Sequence, residues 1–96
     1  MMEVTSLSSF DLDGRTPAFE EPYTVVLGLE AGEGVPEHTH PGKSILFAVQ
    51  EGQLDLSVGE ETHTLAAGDV ARFDGEQEIS VAATEDSKAL VVLTDE

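Results

Sequence analysis

Short runs in which apolar and polar residues alternate are the feature that most constrains this fold. Leu54, Leu56 and Val58 alternate with polar residues, and Ile79, Val81 and Ala83 repeat the pattern. Alternation with a period of two places every second side chain on one face of a β-strand. No segment carries a helical period over 11 or more residues, so the pattern predicts an all-β chain.

Gly, Asp, Glu and Pro separate the apolar runs and set the limits of the expected strands. The alternation predicts strands at 23–29, 44–50, 53–58, 61–65, 70–73, 79–83 and 89–93. Gly59 and Glu60 fit the tight turn of a hairpin between two of them. No linker or repeat divides the chain. We therefore expect one domain over 1–96, with its core at about 22–94 and an N-terminal strand or strap at 1–21.

The composition excludes several classes of protein. There is no cysteine, so disulfides, thiolate metal sites and cysteine nucleophiles are excluded. No apolar run approaches the roughly 20 residues of a membrane span, and the first residues do not resemble a signal peptide. We therefore expect a cytoplasmic protein.

The charge balance is extreme: 20 Asp and Glu face four Lys and Arg, for a formal net charge of −16. Such a surface repels phosphates and anionic lipids, so nucleic acid and membrane are not expected partners. A basic protein partner, a cation-binding role or adaptation to high salt would each account for the acids. We favour the last, because molar salt shortens the Debye length to about 3 Å and screens their repulsion.

Two glycine-anchored motifs resemble those of the cupin family. The segment GEGVPEHTHPGKSILFAVQEG, at 32–52, has Gly32, His38, His40 and Gly52 at the spacing of the first cupin motif. The segment GDVARFDGEQEI, at 68–79, opens with the Gly-Asp of the second motif. The resemblance covers about 28–93 and implies a cupin-type double-stranded β-helix, a jelly-roll barrel of short antiparallel strands.

The resemblance is incomplete at the metal-binding positions. Metal-binding cupins usually use two His and one Glu from the first motif and one His from the second. Counted along this sequence, that Glu falls on Ile45 and the second-motif His falls on Ile79. Isoleucine has no donor atom, so the resemblance implies a degenerate metal site in which only His38 and His40 remain.

His38 and His40 are the candidate metal ligands. Two His separated by one residue on a strand share a face, and imidazole suits divalent Zn, Fe, Ni, Mn or Cu. A stable site needs three or four ligands. Glu37, Glu78 and His63 are poor candidates for a third, because alternation turns both Glu away and His63 is expected on the surface. The alternatives are no cofactor, or a metal that borrows an external ligand.

The interior of the predicted barrel is apolar. The expected pocket-lining residues share inward positions on the predicted strands: Ile45, Phe47, Val49, Leu56, Phe73, Ile79 and Val81. Such an interior either packs shut or accepts a small apolar molecule. For a chain of this length we expect it to be packed shut.

Three functions stay open. The one we favour is a small-molecule-binding or non-catalytic subunit with an eroded metal site. The second is a metal-dependent oxygenase or isomerase acting on a small organic substrate. The third is a structural or interaction homodimer. We expect a homodimer in any case, because pairing of chains covers the exposed edges of β-sheets.

Overall fold

The chain folds into nine antiparallel β-strands, in a computed structural model that describes residues 2–96. A short 3₁₀ helix, Leu7–Ser9, precedes them. The strands are β1 (Gly14–Phe19), β2 (Tyr23–Leu29), β3 (Gly34–His38), β4 (Lys43–Glu51), β5 (Gln53–Val58), β6 (Glu61–Ala66), β7 (Val70–Asp74), β8 (Ile79–Ala83) and β9 (Ser87–Asp95).

The strands form two sheets that face each other. One sheet has five strands in the order β1-β2-β9-β4-β7, and the other has four in the order β3-β8-β5-β6. Sequential strands lie in different sheets at several points, so the chain crosses repeatedly between the two layers. The prediction of an all-β jelly roll of short antiparallel strands is confirmed.

The core lies between the inner faces of the two sheets. Alternation delivers Val25, Leu27 and Leu29 of β2 to this space, opposite Leu54 and Leu56 of β5. All five are at most 8% exposed. Burial of one such side chain contributes about 1.5–3 kcal/mol, so this layer holds the sheets together.

The β5–β6 hairpin confirms the turn expected from the sequence. Val58 pairs with Glu61, which leaves Gly59 and Glu60 as a two-residue loop. Gly59 has a φ of +61°, a left-handed conformation that glycine adopts without steric cost.

Strands β1 and β3 were absent from the set of strands that alternation predicted. β1 carries Pro17 and β3 carries Pro36, and neither strand alternates clearly. Both lie at sheet edges, where proline is tolerated because one side of the strand needs no donor. The N-terminal region is thus the edge strand β1, preceded by a strap at residues 2–13.

The strap crosses the outer face of the five-stranded sheet. The carbonyl of Asp11 lies so close to Gly28 that an added Cβ would approach it to 2.7 Å. The buried Lys88 donates a hydrogen bond of 3.1 Å to the carbonyl of Leu7. Beneath the strap, Val26 is only 1% exposed although it faces outward from β2. The strap therefore covers one side of this outer face.

No helix in the described part of the chain has the length and apolarity to cross a membrane.

The acidic surface is largely uncompensated by ion pairs. Within residues 2–96 the ion pairs are Lys43 with Asp95 and, when the imidazole is protonated, His63 with Glu61. Most carboxylates therefore repel one another across the surface, and this repulsion lowers the stability of the compact state.

We expect the melting temperature to rise as KCl increases from about 0.1 M to molar concentrations, because the screening length falls from about 10 Å to about 3 Å. Differential scanning calorimetry measures this. A control variant with Glu3, Glu60, Glu61 and Glu85 changed to Gln lowers the net charge from −16 to −12. It should show a weaker salt dependence. A melting temperature that does not respond to salt would contradict adaptation to high salt.

Candidate functional site

A cavity of about 200 Å³ opens at one end of the barrel, between the two sheets. The interior is thus not packed shut at this end, contrary to our expectation. Gly14 and Gly34 border this cavity and contribute no side chain to its wall. A cavity of about 150 Å³ lined by aliphatic side chains is large enough for benzene.

The cavity has an apolar floor and a polar rim. The floor is made of side chains that are almost fully buried, and the rim of side chains that are partly or fully exposed. The lining side chains of the floor and walls are Val25, Leu27, Leu29, Val35, Ile45, Phe47, Phe73, Ile79, Val81, Val91 and Leu93. The rim consists of Arg15, Pro36, His38 and His40.

Five of the seven pocket residues named from the sequence line this cavity: Ile45, Phe47, Phe73, Ile79 and Val81. The other two lie elsewhere. Val49 is 1% exposed in the core and does not line the cavity. Leu56 borders a second cleft.

This second cleft, of about 490 Å³, lies where the edge strands β6 and β7 part. His63 borders it with 69% of its side chain exposed, next to Glu61. The expectation that His63 lies on the surface, away from His38 and His40, agrees with this placement.

The end of β3 brings the two histidines to the rim. The pairing of β3 with β8 shifts register between Val35 and His38, and His38 then pairs with Ile79. The His38 and His40 rings meet edge to face, with centroids 4.8 Å apart. Since the Pro36 carbonyl 2.8 Å away is an acceptor, His38 donates through Nδ1.

A close approach of two backbones holds His40. Its amide donates a 2.8 Å hydrogen bond to the carbonyl of Gly75, which is buried. A Cβ on Gly75 would approach the His40 carbonyl oxygen to 2.1 Å. Only glycine allows this contact, and sequence reasoning missed it because the contact joins two segments that are distant in the chain.

The pKa of His40 is lowered from its ordinary value of 6.5. Burial is the main cause, because it disfavours the charged imidazolium. The positive charges of His38 and Arg15 lower it further. His40 is therefore mainly neutral at pH 7.

Arg15 is a rim residue that sequence reasoning did not single out. It pairs with Leu27 across β1 and β2, and directly opposed residues on paired strands share a sheet face. Because Leu27 faces the core, Arg15 also lies on the inner face. Only the strand register reveals this, so composition and motifs gave no signal for it.

The donor set at the histidine pair does not fit the four-ligand metal site of the resemblance. Ile45 and Ile79, at the other two positions, are 2% and 4% exposed and offer no donor atom. Within residues 2–96, no three His, Cys, Asp or Glu side chains are placed to hold a metal ion together. Two imidazoles alone fall short of a stable protein site.

Glu37 and Glu78 line no part of this cavity. Their carboxyl groups lie beside each other on the outside of the barrel. A shared hydrogen bond and mutual repulsion with Glu78 raise the pKa of Glu37. The two carboxylates therefore interact with each other rather than with the histidine pair.

The comparisons with known proteins agree with the fold. The model of the cupin domain family matches residues 25–94. A search of curated proteins finds no match.

Several solved structures share the architecture. An RmlC-like cupin from Desulfovibrio desulfuricans is 22% identical, with a TM-score of 0.84 and coverage of 98% of this chain and 96% of the other. The Cnp3 cupin domain of Schizosaccharomyces pombe is 19% identical, with a TM-score of 0.82 and coverage of 95% and 72%. A conserved protein of unknown function from Streptococcus pyogenes is 20% identical, with a TM-score of 0.70. The alignment covers 77% of this chain but 64% of that one, less than two thirds of its length.

We expect Arg15→Met to raise the pKa of His40 toward 6.5, because it removes one of the three causes of the lowered value. Imidazole NMR titration measures this, with Arg72→Met on β7 as the matched control. The His40 imidazole binds a proton less readily in the folded state than in the unfolded chain. Protonation of His40 therefore favours unfolding, and the contribution of His40 to stability decreases as pH falls from above 6.5 through the lowered pKa. In Arg15→Met, this loss of stability at low pH should be smaller. If the pKa of His40 is the same in Arg15→Met as in the wild type, the charge of Arg15 does not lower it.

Proposed function

This chain belongs to the cupin domain family, and from that membership and the geometry of its cavity we propose that it binds a small apolar molecule inside the barrel. The observation that carries the proposal is the 200 Å³ cavity with isoleucines at the positions where metal-binding relatives carry Glu and His. We further propose that the metal site has eroded and that the protein is non-catalytic.

The character of the wall supports an apolar ligand. Ile45 and Ile79 extend the apolar surface up to the histidine pair, where a metal centre would need oxygen or nitrogen donors. Phe47 and Phe73 add two aromatic faces to the wall. Pockets that bind small molecules are mostly apolar, with few polar groups that fix orientation. Here those polar groups are confined to the rim.

We expect toluene to stabilise the protein and to shift the NMR signals of cavity residues. Ligand binding to the folded state alone raises stability, and about 1 kcal/mol corresponds to roughly 4–8 °C in a domain of this size. Val81→Phe, or Val35→Phe if the first variant does not fold, should fill the cavity and abolish the shift. Ala82→Phe on the exposed outer face of β8 is the matched control and should leave it intact.

Metal analysis supplies the outcome that would overturn this proposal. Elemental analysis of untagged protein, prepared in molar salt without a chelating column, is compared with His38→Ala. Metal well below one equivalent per chain in both proteins agrees with an eroded site. Near-stoichiometric metal that is lost in His38→Ala would favour the alternative, a metal-dependent oxygenase or isomerase that completes its site with an external ligand.

We also propose that two copies pair through the outer face of the five-stranded sheet. Two rows of side chains cross β4 on this face, each from β7 to β9. In one row Leu46 lies between Arg72 and Val92, and in the other Ala48 lies between Val70 and Leu90. Leu46 and Val70 are 41% and 60% exposed. Neither row contains a carboxylate, although the chain has 20. This face can therefore meet a second copy without the repulsion that a net charge of −16 causes elsewhere.

We expect light scattering behind size exclusion to give twice the chain mass of 10.2 kDa. Leu46→Glu should return the protein to the monomer, because it places a carboxylate at the centre of the pairing face. Ala82→Glu, an equal charge change on the exposed outer face of β8, should leave the dimer unchanged. A monomeric wild type, or a dimer that resists Leu46→Glu, would contradict pairing through this face.

A further inference from the structure

We propose that the cavity is selective for a small organic anion, with one carboxylate held at Arg15 on the rim and an apolar body inside the barrel. The inference rests on the proposed function and adds the chemical class of its ligand.

The position of Arg15 is unusual for this chain. Its strand is an edge strand, yet the register with Leu27 directs Arg15 to the same face as the core. Arg15 lines the cavity together with His38 and His40. The rim thus carries one permanent positive charge and two imidazoles, in a protein whose net charge is −16.

The guanidinium of Arg15 has no carboxylate partner among residues 2–96. Its polar contact is the hydroxyl of Tyr23, at 3.5 Å. Two other cations are engaged: Lys43 pairs with Asp95, and Lys88 is buried against the carbonyl of Leu7. In a chain with 20 carboxylates, an inward cation without one is available to a ligand.

Guanidinium and carboxylate are complementary in charge and shape. The planar guanidinium can donate two parallel hydrogen bonds to the two oxygens of one carboxylate. Within the described residues neither ring nitrogen of His40 has a hydrogen-bond partner, so its N–H is also available to an anion. A single ring or a short branched chain fits the space below.

A structural role for Arg15 would be protection of the sheet edge. Inward-pointing charges on edge strands prevent edge-to-edge association. That role requires no ligand and no histidine pair, so a binding measurement separates it from the proposal.

Three probes that share a phenyl ring and differ in charge test the inference: toluene, benzoate and benzylammonium. NMR titration in molar KCl at pH 7.5 gives their affinities for the full chain and for two variants. We expect benzoate to bind at least about tenfold more tightly than toluene, since a charge-assisted pair is added. Arg15→Met should remove this advantage and change toluene affinity by less than about twofold. Ala82→Glu, an equal change in net charge on the exposed outer face of β8, should alter neither.

The outcomes separate this inference from the function on which it rests. If toluene binds but benzoate binds no more tightly, the cavity is a neutral site and the anion selectivity is wrong. The anion selectivity is also wrong if benzylammonium binds more tightly than benzoate, or if Arg15→Met does not lower the affinity for benzoate. Arg15 would then serve only to protect the sheet edge. If none of the probes binds, the proposed function fails as well.

Discussion

The packing of two sheet faces against each other is the interaction on which the rest of this structure depends. The buried residues of β2, β4, β5, β8 and β9 form a single cluster, and no disulfide is available to replace it. Close packing requires the facing side chains to fill the space between the sheets. They do so around Leu54 and Val49, which are 1% exposed, but not at the end of the barrel near His38. The cavity therefore results from the same layer that stabilises the fold.

The two isoleucines at this end change the chemistry of the site. Ile45 and Ile79 offer apolar surface and no donor atom, and they border the cavity beside the histidine pair. An apolar wall desolvates its neighbours, and burial is the main cause of the lowered pKa of His40. A neutral imidazole at the mouth of an apolar cavity can donate or accept a hydrogen bond at little cost. Apolar side chains at these two positions thus fit the proposed binding of an apolar group in the cavity.

Most strands could be predicted from the sequence because they alternate. β2 and β8 begin and end where the alternation predicts, and the turn at Gly59 follows from its residue type. β1 could not be predicted in this way, because Pro17 interrupts its pattern and edge strands bury little of either face. The rim of the site depends on contacts between distant segments. Arg15 faces inward only because of its register with Leu27, and Gly75 supports His40 from another motif. Such relations are properties of the fold and have no local signal.

Repulsion among the surface carboxylates and a contact between an anion and Arg15 act over different distances. Repulsion among the carboxylates acts over a Debye length, which molar salt reduces from about 10 Å to about 3 Å. A pair formed in contact, in a partly enclosed site, is screened much less. Salt therefore weakens the general repulsion between this protein and an approaching anion more than it weakens a contact with Arg15. In a chain with a net charge of −16, the proposed anion site at the rim would therefore become more accessible in molar salt. The acidic surface and an anion-binding cavity are then compatible, because one acts at long range and the other at contact.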